Sequence, residues 1–513
     1  MIYTTVSQNN KRIAKNTIML YIRMIVITII SLYTVRVTLR TLGSDNYGIY
    51  NAVCSVIGFL SFISATLTNS AQRYLAFDLG KGDDEGYRHT FSMLLIVFLS
   101  IALIIVVVSE IIGPWIISKY LIIPQERITA AQWIFQLSII SLVVRLITIP
   151  YMASIVAYEK MSFYAYLSIV EVILKLLIVY ALVVSPFDKL IFYGFLMMLM
   201  DVFVSFFYII VCYKKLSNCK FSWYWNKSRF KEIGTYIGWN TFGSLSGILE
   251  TQGMTIVTSM FFQPYVLAAR AIADRVNGVA YSFVTNYVLA SSPQLVKYYS
   301  MREHKEFNTL FYRTSLVSYY LMIFITVPLI ILMPDLLSIW LTDSLLDDMI
   351  VFSRLSLLTA LVSSLETPIS RAVSATGQVK LYEITNCCVA AAGIPLTYLL
   401  FKCGLPAYYG YVVFIFILSF SIIYRILILK KYSSISVRDY CYECIIRVIG
   451  ITIALAIISF FILKISISDI FIRIIVIGAI SVCVTSVVLF ISLRKNEKAY
   501  ILQYIHKIIK RRR

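Results

Sequence analysis

Apolar runs of about 18–25 residues recur from one end of the chain to the other, and each is long enough to cross about 30 Å of hydrocarbon as a helix. Within a run the apolar residues are continuous and do not alternate, which predicts helices, not the strands of a closed barrel. The predicted spans are 13–39, 47–67, 90–109, 130–156, 162–184, 190–213, 233–259, 266–291, 309–333, 350–373, 379–400, 406–429, 445–464 and 469–492. Counted together they make about fourteen helices, and the fold class that follows is an all-α, polytopic membrane protein.

Composition agrees. Of 513 residues, 59% are hydrophobic and 14% charged, where a soluble domain carries roughly 25% charged residues. The net charge of +20 would suggest nucleic acid in a soluble protein, but the basic residues here sit mostly between the apolar runs. Assigning connections alternately to two sides leaves about 28 Lys and Arg on the side holding both termini and about 6 on the other. The rich side includes Lys214, Lys215, Lys220, Lys227, Arg229 and Lys231, whereas the loop 334–349 on the poor side carries Asp335, Asp343, Asp347 and Asp348. Both ends are therefore expected in the cytoplasm, with no nucleic-acid partner. The tail "KIIKRRR" and "RKNEKAY" read as topology anchors with anionic lipid headgroups within reach. "MIYTTVSQNNKRIAKN" lacks a short apolar core followed by a cleavage site, so the first helix is expected to stay in place. Nine cysteines, including the lone pair Cys441 and Cys444, form no metal-ligand framework.

The two halves resemble each other. Pro150 and Pro368 are 218 residues apart, and at the same offset Leu137-Ser138 meets Leu355-Ser356, Tyr47 meets Tyr265, Tyr164 meets Tyr382, and Tyr193 meets Tyr411. A shared offset predicts two pseudo-symmetric six-helix lobes, 1–213 and 233–429. A basic linker at 214–232 joins them, and two extra helices and a tail follow at 430–513. An even number of helices per lobe makes the repeat parallel, one recognised plan for a transporter.

Polar residues fall at helical spacing on matched helices. The fourth span carries Ser138, Ser141, Arg145, Thr148 and Met152 on one face, and the offset of 218 gives Ser356, Thr359, Ser363, Glu366 and Ser370 on the tenth. The eighth adds Arg270, Asp274, Asn277, Tyr281 and Thr285, and the second Asn51, Ser55, Gly58 and Asn69. Arg23, Asp201 and Glu250 lie inside other spans, and Glu171 and Lys175 are spaced to pair with each other. An arginine at the centre of a membrane helix costs about 2.5–3.5 kcal/mol on insertion scales, so Arg145 needs polar company. Two readings remain open: a water-filled cavity, or buried networks in which Ser and Thr glue helices together. On the cavity reading Arg145, Arg270, Arg23, Ser141, Thr148 and Asn277 bind an anionic substrate, since a guanidinium stays ionised and binds phosphate through a planar fork. Glu366, Glu250 and Asp274 then suit a coupling cation, H+ or Na+.

"RVTLRTLGSDNYGIYNAV" (36–53), "IIPQERITAAQWIFQLSII" (122–140) and "PYMASIVAYEKMSFYAYLSIVEVILKL" (150–177) resemble motifs of the bacterial Wzx-type oligosaccharide flippases. These belong to the multidrug/oligosaccharidyl-lipid/polysaccharide exporter (MOP) superfamily. The resemblance covers nearly the whole chain and is most specific between 36 and 177, where Arg36, Gly43, Tyr47, Gly48, Pro150, Glu159 and Glu171 match family positions. It implies a multi-pass protein of the bacterial inner membrane that flips undecaprenyl-diphosphate-linked oligosaccharide from the cytoplasmic to the periplasmic leaflet. The units feed O-antigen of lipopolysaccharide, capsule or a related polysaccharide, by alternating access through a cationic cavity. It also implies polysaccharide polymerase machinery and membrane lipids as partners. No residue pattern matches a sodium site. A multidrug or cation antiporter and a lipid II flippase are the alternatives within the superfamily; Arg145 in the stripe argues against organic cations. A membrane enzyme is disfavoured because the outer loops are short and His89, His304 and His506 all fall on the cytoplasmic side. A non-catalytic scaffold would leave the matched stripes unexplained.

Overall fold

The computed structural model describes residues 2–492, apart from 61, 81, 159, 217–218, 379, 434 and 466, and leaves the side chains of residues 1–25 and some others aside. The chain is a succession of helices, with no strand among the described residues. In order they are α1 (Ile2–Leu60), α2 (Phe62–Gly80), α3 (Asp84–Lys119), α4 (Ile128–Ala157), α5 (Met161–Val184), α6 (Lys189–Lys215), α7 (Lys227–Ile248) and α8 (Met254–Phe261). Then come α9 (Pro264–Ser300), α10 (His304–Leu341), α11 (Asp347–Thr376), α12 (Lys380–Lys402), α13 (Tyr409–Tyr432), α14 (Val437–Tyr440), α15 (Ile446–Ile462) and α16 (Ile470–Ser492). Single π-turns, Leu249–Gly253 and Cys441–Ile445, join α7 to α8 and α14 to α15. Among the described residues, eleven segments are long and apolar enough to cross a membrane, and the protein is a multi-pass membrane protein.

Local chemistry sets the boundaries. The first two predicted spans run together in α1, which breaks at Gly43 with φ 79° and ψ 163°, a conformation that glycine adopts without a Cβ penalty. Asp83 caps α3 and Asp84 and Glu85 follow in its first turn, with Lys119 in its last, so charge opposes the helix dipole at both ends. Asp188 caps α6 through the N–H groups of Leu190 and Ile191. Gly377 ends α11 in the left-handed conformation. The seventh predicted span turns out to be helix, π-turn and helix, and the thirteenth, 445–464, is α15 with a π-turn and the short α14 before it. A π-turn adds one residue to the repeat and leaves no mark in hydropathy. Among the helices outside the apolar set, α7 is dense in Gly, Ser, Thr and charged residues.

The chain divides into two compact units, Met1–Ala271 with Asn386–Gly410, and Ile272–Thr385 with Tyr411–Arg513. In the first, α4 packs against α6, α2 and α3, and α1 against α5; Leu39, Ile49, Leu67, Phe91, Phe98 and Phe135 are buried there. The backbone of α1 passes so close to the start of α9 that a Cβ on Gly48 would collide with the Pro264 carbonyl. In the second unit α10 packs against α11 and α16, around Phe307, Phe311, Phe352 and Leu357. The last helix, α16, joins through Ile331, Leu332, Ile462 and Ile477 and through an ion pair of Arg473 with the buried Asp335.

Candidate functional site

In the first unit Arg145 projects from the middle of α4 toward α6, where Asp201 receives it: Nη2 donates to Oδ1 at 2.7 Å. The two ends of this pair differ sharply. The Asp201 side chain is 9% exposed and that of Arg145 55%. The carboxylate is thus sunk in the helix packing and the guanidinium is presented outward from it. One N–H of the five that a guanidinium offers serves this bond. Around the pair, Ser138 Oγ meets Cys54 Sγ at 3.8 Å and Tyr50 packs edge-on against Tyr193 at 4.8 Å. Lys175 donates to Glu171 at 2.7 Å, the i,i+4 pairing that their spacing implies.

The neighbours of Arg145 on the α4 stripe do not all share its orientation. Ser141 is half-buried. Thr148 is buried and donates to the Val144 carbonyl of its own helix at 2.7 Å, the backbone bond that lets a hydroxyl sit in hydrocarbon. Arg270, near the start of α9, is buried, and its Nε donates to Thr255 Oγ1 at 3.2 Å. Glu250 lies half-buried on the π-turn 249–253, a distortion frequent at functional positions. Arg23, Asn69 and Glu159 lie outside the described side chains, as does the tail from 493. A separate pocket of about 420 Å³ opens between α3 and α4, lined by Pro114, Gln132, Trp133 and Gln136, with Gln136 bonded to Glu110.

In the second unit, the polar stripes of α9 and α11 face each other. Asn277 Nδ2 donates to the Ser356 carbonyl at 2.7 Å, and Ser356 Oγ donates back to the Ala273 carbonyl at 3.0 Å. The Tyr281 hydroxyl donates to the Ser363 carbonyl at 3.1 Å and bonds Thr367. This seam holds the two helices together through side chain-to-backbone bonds. Asp274 lies on the exposed side of α9. Glu366 forms an ion pair with Arg425 of α13, whose guanidinium also lies 5.5 Å from the Tyr382 ring centre and 5.9 Å from that of Tyr424.

Sequence reasoning marked Asp201 as an intraspan charge without giving it Arg145, and missed Arg425 altogether. Both are single charges in apolar runs, so an imbalance was visible; which opposite charge answers it depends on helix packing. Among the described residues no cluster of His, Cys, Asp and Glu could hold a metal ion.

Residues 244–399 match the MatE family model. Among curated proteins no sequence match is found. Among solved structures, the chain is similar to the lipid II flippase MurJ in an inward closed conformation, with a TM-score of 0.72 and 14% identity over 92% of this chain and 99% of that one. It is also similar to an inward-facing multidrug resistance MATE family transporter of the MOP superfamily, at TM-score 0.63 and 14% identity over 81% and 97%. A MOP superfamily transporter from Pyrococcus furiosus, described as having a binding pocket of reverse polarity, aligns at TM-score 0.54 and 15% identity over 82% and 95%. With its all-helical succession, its apolar spans and these alignments over most of its length, the chain has the fold of the MOP superfamily transporters.

Proposed function

We propose that this protein flips undecaprenyl-diphosphate-linked oligosaccharide repeat units from the cytoplasmic to the periplasmic leaflet of the bacterial inner membrane. In this reading both termini are cytoplasmic and the product feeds surface polysaccharide, such as O-antigen or capsule. The observation that carries it is Arg145, a guanidinium in the middle of an apolar helix, 55% exposed and held at its base by an almost buried Asp201. A carboxylate behind the guanidinium keeps it oriented and ionised, and its outward donors match a diphosphate bidentately. The pair with Asp201 is neutral overall, which makes the helix tolerable in hydrocarbon until the diphosphate arrives and competes for the arginine.

The work is transport, not catalysis. An inside-negative potential favours outward movement of an anionic headgroup by about 2.3 kcal/mol per charge per 100 mV. Alternating access couples that step to H+ or Na+, with Glu366, Glu250 and Asp274 as the carboxylates able to take a cation. At Glu366 the cation would replace Arg425. Lipid II is a second substrate reading, supported by the TM-score of 0.72 to a lipid II flippase; both substrates share an undecaprenyl diphosphate and differ in glycan. Organic-cation export fits less well, because the exposed intraspan charge on α4 is positive.

The test is transbilayer movement of fluorescent undecaprenyl-diphosphate oligosaccharide in proteoliposomes, with lipid II and an organic cation as parallel substrates. Arg145→Ala should slow glycan-lipid movement about tenfold or more, equivalent to about 1.4 kcal/mol of lost interaction, with insertion intact. Wild-type rates in that variant would remove Arg145 from the path. Cation export without glycan-lipid movement would overturn the reading.

A further inference from the structure

The stretch joining α6 to α7 carries "YKKLSNCKFSWYWNKSRFK" (213–231), in which five lysines, one arginine and six aromatic residues occur with no acid. Its core at 221–225 has no regular secondary structure, and its residues alternate one by one between exposed and half-buried. The inward side is bonded to the start of α3. The Ser222 backbone N–H donates to Ser92 Oγ at 2.9 Å, and the Tyr224 ring stacks on His89 with centres 3.8 Å apart and planes 8° apart. Just before it, Cys219 is buried against the Tyr87 hydroxyl. The outward side consists of Phe221, Trp223 and Trp225, at 54%, 79% and 52% exposure.

From this alternation we infer that residues 219–226 form an interfacial strap: its inner face is fixed to α3, and its outer face inserts Phe221, Trp223 and Trp225 among anionic phospholipid headgroups. Exposure falls on every second residue, so the three large rings share the outward side. Trp is enriched where its apolar body meets acyl chains and its N–H stays among headgroups. Position supplies the bilayer: α6 is a spanning helix ending at Lys215, and α7 begins at Lys227. Charge selects the lipid. Lys214, Lys215, Lys220, Lys227 and Lys231 are exposed around the rings, where an anionic surface attracts them and a zwitterionic one does so weakly. A soluble protein partner would have to reach the same rings at the membrane boundary against this lipid. The strap therefore binds two surfaces at once and moves with α3, so the connection is no free hinge. The inference requires only a multi-pass protein and is independent of the substrate.

The experiment uses the full chain in lipid nanodiscs, with Trp115, Trp133, Trp239 and Trp340 changed to Phe so that emission comes from Trp223 and Trp225. Phosphatidylglycerol brominated near the headgroup should remove most of the emission, and aqueous iodide little of it. Brominated phosphatidylcholine in an otherwise equal disc should quench less. Replacing the five lysines with Gln should abolish the difference between the two lipids; if that variant does not fold, the parent protein in the two discs reads the same preference. Iodide quenching without bromolipid quenching overturns the inference and assigns the rings to water or to a soluble partner. Equal quenching by both lipids overturns the anionic selectivity.

Discussion

The ion pair of Glu366 and Arg425 gives the sharpest prediction, because stability and transport report on it separately. The side chains are 23% and 7% exposed, so removing one partner strands the other in a poorly hydrated place. Breaking a buried pair from one side costs about 3–5 kcal/mol, and an unpaired charge at a helix centre costs about 2.5–3.5 kcal/mol on insertion scales. For Arg425→Met we expect a loss of about 3 kcal/mol, at the lower limit of the first range because Glu366 is not fully enclosed. The contact of the guanidinium with Tyr382 adds about 0.5–1 kcal/mol. Glu366→Gln retains an acceptor oxygen and should cost about 2 kcal/mol, chiefly the unbalanced arginine. The double variant has no charge left to strand, so it should recover about 2 kcal/mol relative to the sum of the singles. Denaturant unfolding of the four proteins in matched discs measures the cycle. A double variant additive to within about 0.5 kcal/mol would refute the pairing. The same Glu366→Gln protein should lose dependence on the ion gradient or on pH in the flipping assay; unchanged coupling would leave the pair with structural work alone.

Two further outcomes follow from local geometry. Gly48→Ala sets a methyl against the Pro264 carbonyl, where no side chain can rotate away. It should destabilise the protein by about 1–3 kcal/mol, seen as a lower melting temperature in detergent; unchanged melting would mean that α1 and α9 are farther apart than described. Asp188→Ala removes the cap of α6 and the partner of Arg127, at a cost of about 1 kcal/mol. Burial alone would raise the Asp188 pKa, but the N–H groups of Ile191 and Leu190 and the Arg127 guanidinium outweigh it and lower it below its ordinary value. A lowered native pKa contributes stability that is full above the unfolded value and lost as pH falls through the native one. The gap between wild type and variant should therefore close in acid; a gap that persists there would show that the carboxylate's charge is not what holds the cap.

The helices themselves were written in the sequence. A run of some twenty apolar residues has few alternatives to a helix, since lipid offers its backbone no hydrogen-bond partner, and the predicted spans from 130 to 213 match α4 to α6 closely, whereas α3 extends well beyond 90–109 at both ends. Gly43 and Gly48 stand in a family motif, and the structure gives the first a positive φ and the second a close backbone approach, roles that admit few other residues. Stripes such as Asn277 and Tyr281 were legible as faces, because helical periodicity fixes which residues point together.

Which face meets which was not legible. Asn277 and Tyr281 find the backbone of α11, Arg145 finds Asp201, and Glu366 finds Arg425. These partners are tens of residues apart and on different helices. A periodic pattern gives each charge a direction around its own axis, and nothing along the chain gives the rotation and height of the neighbouring helix. Close packing chooses those values from all the side-chain shapes at once. So one-dimensional chemistry determined that Arg145 required a polar environment, and only the tertiary structure decided that a nearly buried carboxylate would hold it while leaving its guanidinium exposed.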